Sequence, residues 1–93
     1  MRNALNTKLE MQAAEPLYKQ VEKQIMNCLA EGEWIPGDRL PTESQLAERF
    51  GVAVLTVRAG IRDLVDSNIL VRKQGSGTYV ALHDRQRQRY QLV

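Results

Sequence analysis

The chain has one cysteine, one histidine and five aromatic residues among 93. Each scarcity closes a route to function. Cys28 has no second thiol for an intramolecular disulfide and cannot build a zinc site by itself. His83 has no cysteine or second histidine near it in sequence, so no metal-ligand spacing is present. Five aromatic side chains are too few for the stacking platforms that single-stranded nucleic acid binders use. No apolar run is long enough to span a bilayer. The N-terminus lacks the charged-then-apolar layout of a signal peptide. Carboxylates are scattered, and no spacing suggests a nucleophile with a base and an orienting group. The expectation is therefore a cytoplasmic chain without a catalytic site, a metal site, a cofactor or a membrane span.

Ninety-three residues make one small domain with a modest core. A hydrophobic fraction of 43% is that of a folded chain. The net charge of +2 hides an asymmetry. Residues 1–50 hold six Lys/Arg and eight Asp/Glu, a balance of −2. Residues 51–93 hold seven Lys/Arg and three acids, a balance of +4. Local basic charge is what neutralises phosphates, although a solvated basic face has the same composition.

Residues 1–14 are polar without a core stripe and read as a flexible N-terminal arm. Glu15-Pro16 opens the first helix, since proline suits the first turn. Leu17, Val21, Ile25 and Leu29 recur every four residues, with Met26 and Cys28 flanking the stripe. Gly32 suits the helix end. Trp34 to Gly37 form a turn, and Asp38-Arg39-Leu40 a short extended link. Thr42 and Gln45 have capping-box spacing. Leu46, Ala47 and Phe50 form the buried face of a second helix, which Gly51 ends. A third helix spans about 54–66 with Val57, Ile61, Leu64 and Val65 on one face. Asn68 tolerates the left-handed conformation after it. Ile69 to Val80 read as two short strands around a tip where Gly75 and Gly77 permit positive φ.

Three helices with a small β-ribbon make a mainly α domain over residues 15–82, a winged helix-turn-helix. That arrangement presents one helix to a major groove and a ribbon beside it. It points to double-stranded DNA rather than to catalysis. At the start of helix three, Thr56 can donate to a phosphate or base edge. Arg58 can bind a phosphate or fork onto guanine O6/N7; the bland alternative is a solvated arginine. At the start of helix two, the backbone amides near Thr42, Glu43 and Ser44 can meet a phosphate. Glu43 itself repels phosphate, so its expected role is orienting an arginine or capping. Thr42 stands between cap alone and cap plus phosphate contact. In the ribbon, Gln74, Gly75, Ser76, Gly77 and Thr78 let the main chain approach the backbone or minor groove. Arg72 and Lys73 add charge beside them. Read blandly, Gly75-Ser76-Gly77 is a plain hairpin turn.

The pattern resembles the GntR-type bacterial transcription regulators over about Pro16 to Ala81. The family's Pro-Leu-Tyr is matched by Pro16-Leu17-Tyr18, and its Pro-Gly-Asp-Arg-Leu-Pro-Ser/Thr-Glu by Pro36 to Glu43. Leu46-Ala47, Gly51-Val52 and Thr56-Val57-Arg58 match the next pieces. Gln74 to Val80 match the closing Gln-Gly-x-Gly-Thr-Phe/Tyr-Val. The ending is most similar to the subgroup typified by histidine-utilisation repressors. The resemblance implies a sequence-specific DNA-binding domain of a regulator, a repressor acting on a palindromic operator. It also implies that residues 83–93 lead, as a linker, towards a separate C-terminal domain. That domain would bind a small-molecule effector and make the homodimer. The isolated domain is expected to be monomeric.

Two positions depart from the family pattern. Ala53-Val54 stand where Ser-Arg is frequent, and Ser44 where an arginine is frequent. Two of three base-reading arginines are then missing. Ala53 also loses a side-chain cap, which costs about 0.5–2 kcal/mol. Val54 and Leu55 can instead touch thymine methyl groups. An apolar helix start also suits a protein groove, so a winged-helix protein-interaction module is the alternative reading.

Overall fold

The computed structural model describes residues 15–82. The arm assigned to residues 1–14 and the linker assigned to 83–93 lie outside the described residues. Three helices come first: α1 (Leu17–Ala30), α2 (Glu43–Phe50) and α3 (Val54–Asp66). An antiparallel hairpin of β1 (Leu70–Lys73) and β2 (Gly77–Val80) follows. This is the mainly α domain with a small ribbon that the periodicities predict.

Each boundary has a local cause. Pro16 precedes the first turn of α1, where its missing N–H costs nothing. At α2 the predicted capping box is present on both sides. The Thr42 hydroxyl accepts from Gln45 N at 3.0 Å, and Thr42 N donates to Gln45 Oε1 at 2.8 Å. Gly51 ends α2 in the left-handed conformation, with φ 72°, which a side chain would disfavour. Ala53 caps α3 with no side-chain hydrogen bond. Past α3, Asn68 takes φ 65°.

The core gathers one stripe from each helix. Val21, Ile25, Leu46, Phe50, Val57, Ile61 and Leu70 are all but fully buried. Each such side chain contributes about 1.5–3 kcal/mol relative to exposure. The stripes differ slightly from the predicted sets. On α1, Leu17 and Leu29 are only half-buried, while Cys28 is buried, as expected of a small hydrophobe beside that stripe. On α3, Gly60 is buried and Val65 half-buried. Trp34 is buried and caps the core from the turn after α1. Arg49 of α2 reaches that turn with a two-bond fork onto Glu33, at 2.7 and 3.0 Å.

One seam between α1 and α3 carries charge. Lys19 Nζ lies 3.6 Å from Glu22 Oε2 and 3.5 Å from Asp63 Oδ2. Burial pushes the Glu22 carboxyl up from its ordinary value. A hydrogen bond with Glu22 holds Asp63 below its own. Asp63 thus faces α1, whereas Arg62 beside it is exposed and makes no ion pair among the described residues.

The link 38–40 is more than a connector. Gly37 N donates to Val80 O at 2.9 Å, Val80 N to Asp38 O at 2.8 Å, and Leu40 N to Thr78 O at 2.8 Å. Arg39 bridges antiparallel to Tyr79. The hairpin therefore has a third, short lane of backbone pairing on the far side of β2.

Candidate nucleic-acid interface

The first turn of α2, the second turn of α3 and strand β1 of the ribbon meet at one carboxylate. Glu43, the first residue of α2, places Oε1 2.9 Å from Arg58 Nε on α3. Its Oε2 lies 3.2 Å from Arg72 Nη1 on β1. Three elements distant in sequence are thus joined by two charge-assisted hydrogen bonds. Glu43, expected to orient an arginine or to cap, contacts two arginines.

This arrangement controls what the arginines can present. With Nε engaged by Glu43, the two terminal nitrogens of Arg58 remain as a forked pair of donors. That fork matches the spacing of guanine O6 and N7 or of two phosphate oxygens. Arg58 and Arg72 keep nearly half of their side chains in solvent, whereas Glu43 is about one-fifth exposed. The carboxylate sits behind the cations.

Helix two supplies a second type of donor. Thr42 saturates the amide of Gln45. The amides of Glu43 and Ser44 have no acceptor within an α-helix. They sit at the positive end of the helix dipole, where an anion is favoured. Thr42 and Ser44 are exposed beside them.

On α3 the predicted positions divide. Leu55 is 68% exposed and projects from the first turn. Val54 is half-buried and packs against the core cluster, so the apolar start of α3 offers one free side chain rather than two. Thr56 is half-buried in the same turn.

In the ribbon, Arg72, Lys73, Gln74, Gly75, Ser76 and Gly77 are all exposed around a hollow of about 350 Å³. Gly75 and Gly77 have φ 77° and 145°, as the tip requires. Thr78 corrects the sequence reading. It is buried, because β2 alternates and turns Thr78 and Val80 towards the core. Its side chain belongs to the inner face of the wing and not to the tip. Tyr79 braces the outer face: its hydroxyl shares a hydrogen bond with Ser76 Oγ, and Lys73 Nζ stands 4.7 Å from its ring centre.

Among the described residues no group of three or more His, Cys, Asp or Glu could hold a metal ion. None of their helices is long and apolar enough to cross a membrane.

Comparison with known proteins adds three findings. The model of bacterial regulatory proteins, gntR family, matches residues 17–80. Over 66 residues the chain is 53% identical to the mannosyl-D-glycerate transport/metabolism system repressor MngR of Escherichia coli K12, covering 71% of this chain and 28% of that protein. Over 69 residues it is 41% identical to the histidine utilization repressor of Klebsiella aerogenes, covering 74% of this chain and 29% of that protein. The chain thus spans less than a third of the length of these relatives. Among solved structures, that of AraR(DBD) in complex with operator ORE1 is similar at TM-score 0.70 and 38% identity. The match covers 78% of this chain and 89% of that one.

Proposed function

Since the chain belongs to the GntR family of bacterial regulatory proteins, we propose that residues 15–82 bind double-stranded DNA sequence-specifically and serve a transcriptional repressor. Helix α3 enters the major groove, and the wing lies along the backbone or in the minor groove. The observation that carries this reading is the Glu43 junction. It joins Arg58 of α3 to Arg72 of the wing through one carboxylate at the start of α2, next to amides that an α-helix leaves without an internal acceptor.

In this reading Arg58 presents its terminal nitrogens to a guanine, worth about 1–3 kcal/mol of discrimination. Leu55 contacts a thymine methyl, and Thr56 a base edge or phosphate. The amides of Glu43 and Ser44 bind a phosphate that sets the register. Arg72, Lys73 and the Gln74–Gly77 tip take the adjacent backbone. Because Val54 and Ser44 supply no guanidinium, the operator differs from one read by arginines at those places. Repression follows from occupying a promoter, with two copies on a palindrome inside the bacterial cytoplasm. The domain works without a cofactor, as a regulator rather than an enzyme. An effector, in the full-length protein, binds a separate C-terminal domain that also makes the homodimer.

The test is selection from a randomised duplex pool at two salt concentrations, followed by sequencing. A short enriched motif, bound more weakly as salt rises, is the expected result. Salt-dependent binding without enrichment would remove the sequence-specific part of the proposal. Absence of binding even at low salt would overturn it and favour a protein groove as the partner of Leu55.

A further inference from the structure

Arg39 lies outside both the helix-turn-helix and the hairpin, yet the register delivers it to the wing. It stands opposite Tyr79 in the third lane of the sheet. Opposed residues of an antiparallel pair share a face. Leu40 and Thr78, the neighbours on either strand, are buried, so Arg39 and Tyr79 take the outer face. The next outer position of β2, towards the tip, is Gly77. A Cβ built there would lie 2.9 Å from Arg39 Nε, 3.5 Å from Nη2 and 3.6 Å from Cζ. The guanidinium therefore rests along β2 in the space that the absent side chain leaves. Directly across from Gly77 on β1 is Lys73.

Two cations thus flank the tip strand on its outer face. Neither forms an ion pair among the described residues, in contrast to Arg58 and Arg72, which share Glu43, and to Arg49, which holds Glu33. The nearest acid in sequence, Asp38, turns its carboxylate to accept from Ile35 N at 2.9 Å. Arg39 is exposed. Its guanidinium is held in place by backbone pairing and by contact with a strand, without a counter-charge. Such a group is a preformed anion site whose natural occupant is a phosphate oxygen.

We propose that Arg39 is a working residue of the wing: on bound DNA it clamps a backbone phosphate from the side of β2 opposite Lys73. The proposal rests on the DNA-binding reading above. It makes Gly77 a receptor for the Arg39 side chain as well as a turn residue. It also extends the interface to the segment between α1 and α2.

The experiment compares the 93-residue chain with its Arg39→Gln and Arg39→Lys variants. The probes are the duplex enriched from the pool and a scrambled duplex, each titrated across a salt series. Arg39→Gln should weaken both duplexes by a similar several-fold factor. Its plot of log affinity against log salt should be shallower by about 0.9, the loss of one phosphate contact. Arg39→Lys should keep the wild-type slope while losing part of the affinity. Thermal unfolding midpoints should stay together. Wild-type affinity and slope in Arg39→Gln would overturn the inference and leave the DNA reading intact. So would a weakened variant with an unchanged slope and a lowered midpoint, which would make Arg39 a structural brace. Wild-type chain that binds neither duplex would overturn both.

Discussion

At the scale of single residues, Arg58 and Glu43 have separable tasks. Replacing Arg58 by Ala removes the forked donor and should cost operator affinity about 1–3 kcal/mol. Scrambled duplex should lose much less, so the ratio of the two constants is the quantity to measure. Glu43→Gln has the opposite signature. It deletes a negative charge beside two arginines, so scrambled duplex should bind more tightly. The anchor on Arg58 Nε weakens at the same time, so discrimination should fall. Equal changes on both duplexes would remove the positioning role of Glu43. Cys28 gives a test away from the surface. Burial first, and Glu33 second, push its thiol up to about 11 from an ordinary value of 9.0. The folded state thus retains the proton more firmly than the unfolded chain. The associated stability is complete below pH 9 and disappears as pH rises through about 11. Denaturant midpoints followed across that window should fall more steeply in the wild type than in Cys28→Ala. In the native state, alkylation of Cys28 at pH 8 should be slow until denaturant is added.

At the scale of elements, the two helices of the motif begin differently. The reciprocal bonds between Thr42 and Gln45 secure α2, and Thr42→Ala should cost about 0.5–2 kcal/mol. Helix α3 has no such cap at Ala53. Ala53→Ser should therefore stabilise the fold by about 0.5–1 kcal/mol, read as a higher denaturant midpoint with unchanged slope. An unshifted midpoint would mean that α3 depends on core packing alone. These local devices were legible in the sequence, because caps, helix stripes and turn glycines act over three or four residues. The bounds of α3 and the left-handed turn at Asn68 follow from the same kind of signal. What was not legible is non-local. No pattern along the chain announces that residues 37–40 will pair with β2, since that pairing joins segments about forty residues apart. Thr78 was misread for a related reason. A glycine-flanked tip advertises exposure, and only the phase of β2 relative to the core turns Thr78 inward. A hydrophobic residue at a helix start fits a groove contact and a core contact equally well, and the half-buried Val54 packs against the core.

At the scale of the whole molecule, part of the basic charge of the sequence acquires a location. Arg58 and Arg72 share Glu43 where α2, α3 and β1 meet, Lys73 and Arg39 flank β2 on the outer face of the wing, and Lys19 sits between the carboxylates of Glu22 and Asp63 in the seam of α1 and α3. If Arg39, Arg58, Arg72 and Lys73 meet phosphates or bases, log affinity should fall with log salt at a slope of about −2 to −4. The shallow end corresponds to Glu43 retaining part of its hold on the arginines. A slope near zero would exclude the backbone contacts. The same charge map cannot be read from a net charge of +2, because opposite signs cancel in the sum but not in space.

The shared carboxylate also bears on how the surface can diverge. Arg58 and Arg72 lie on different elements but draw on the same acceptor, so a substitution at one alters the partner left to the other. Their effects should be non-additive in a double-mutant cycle. In lineages that keep the glutamate, positions 58 and 72 are then expected to drift as a pair, while the solvent-facing Ser44 and Leu55 remain free to change operator preference one at a time.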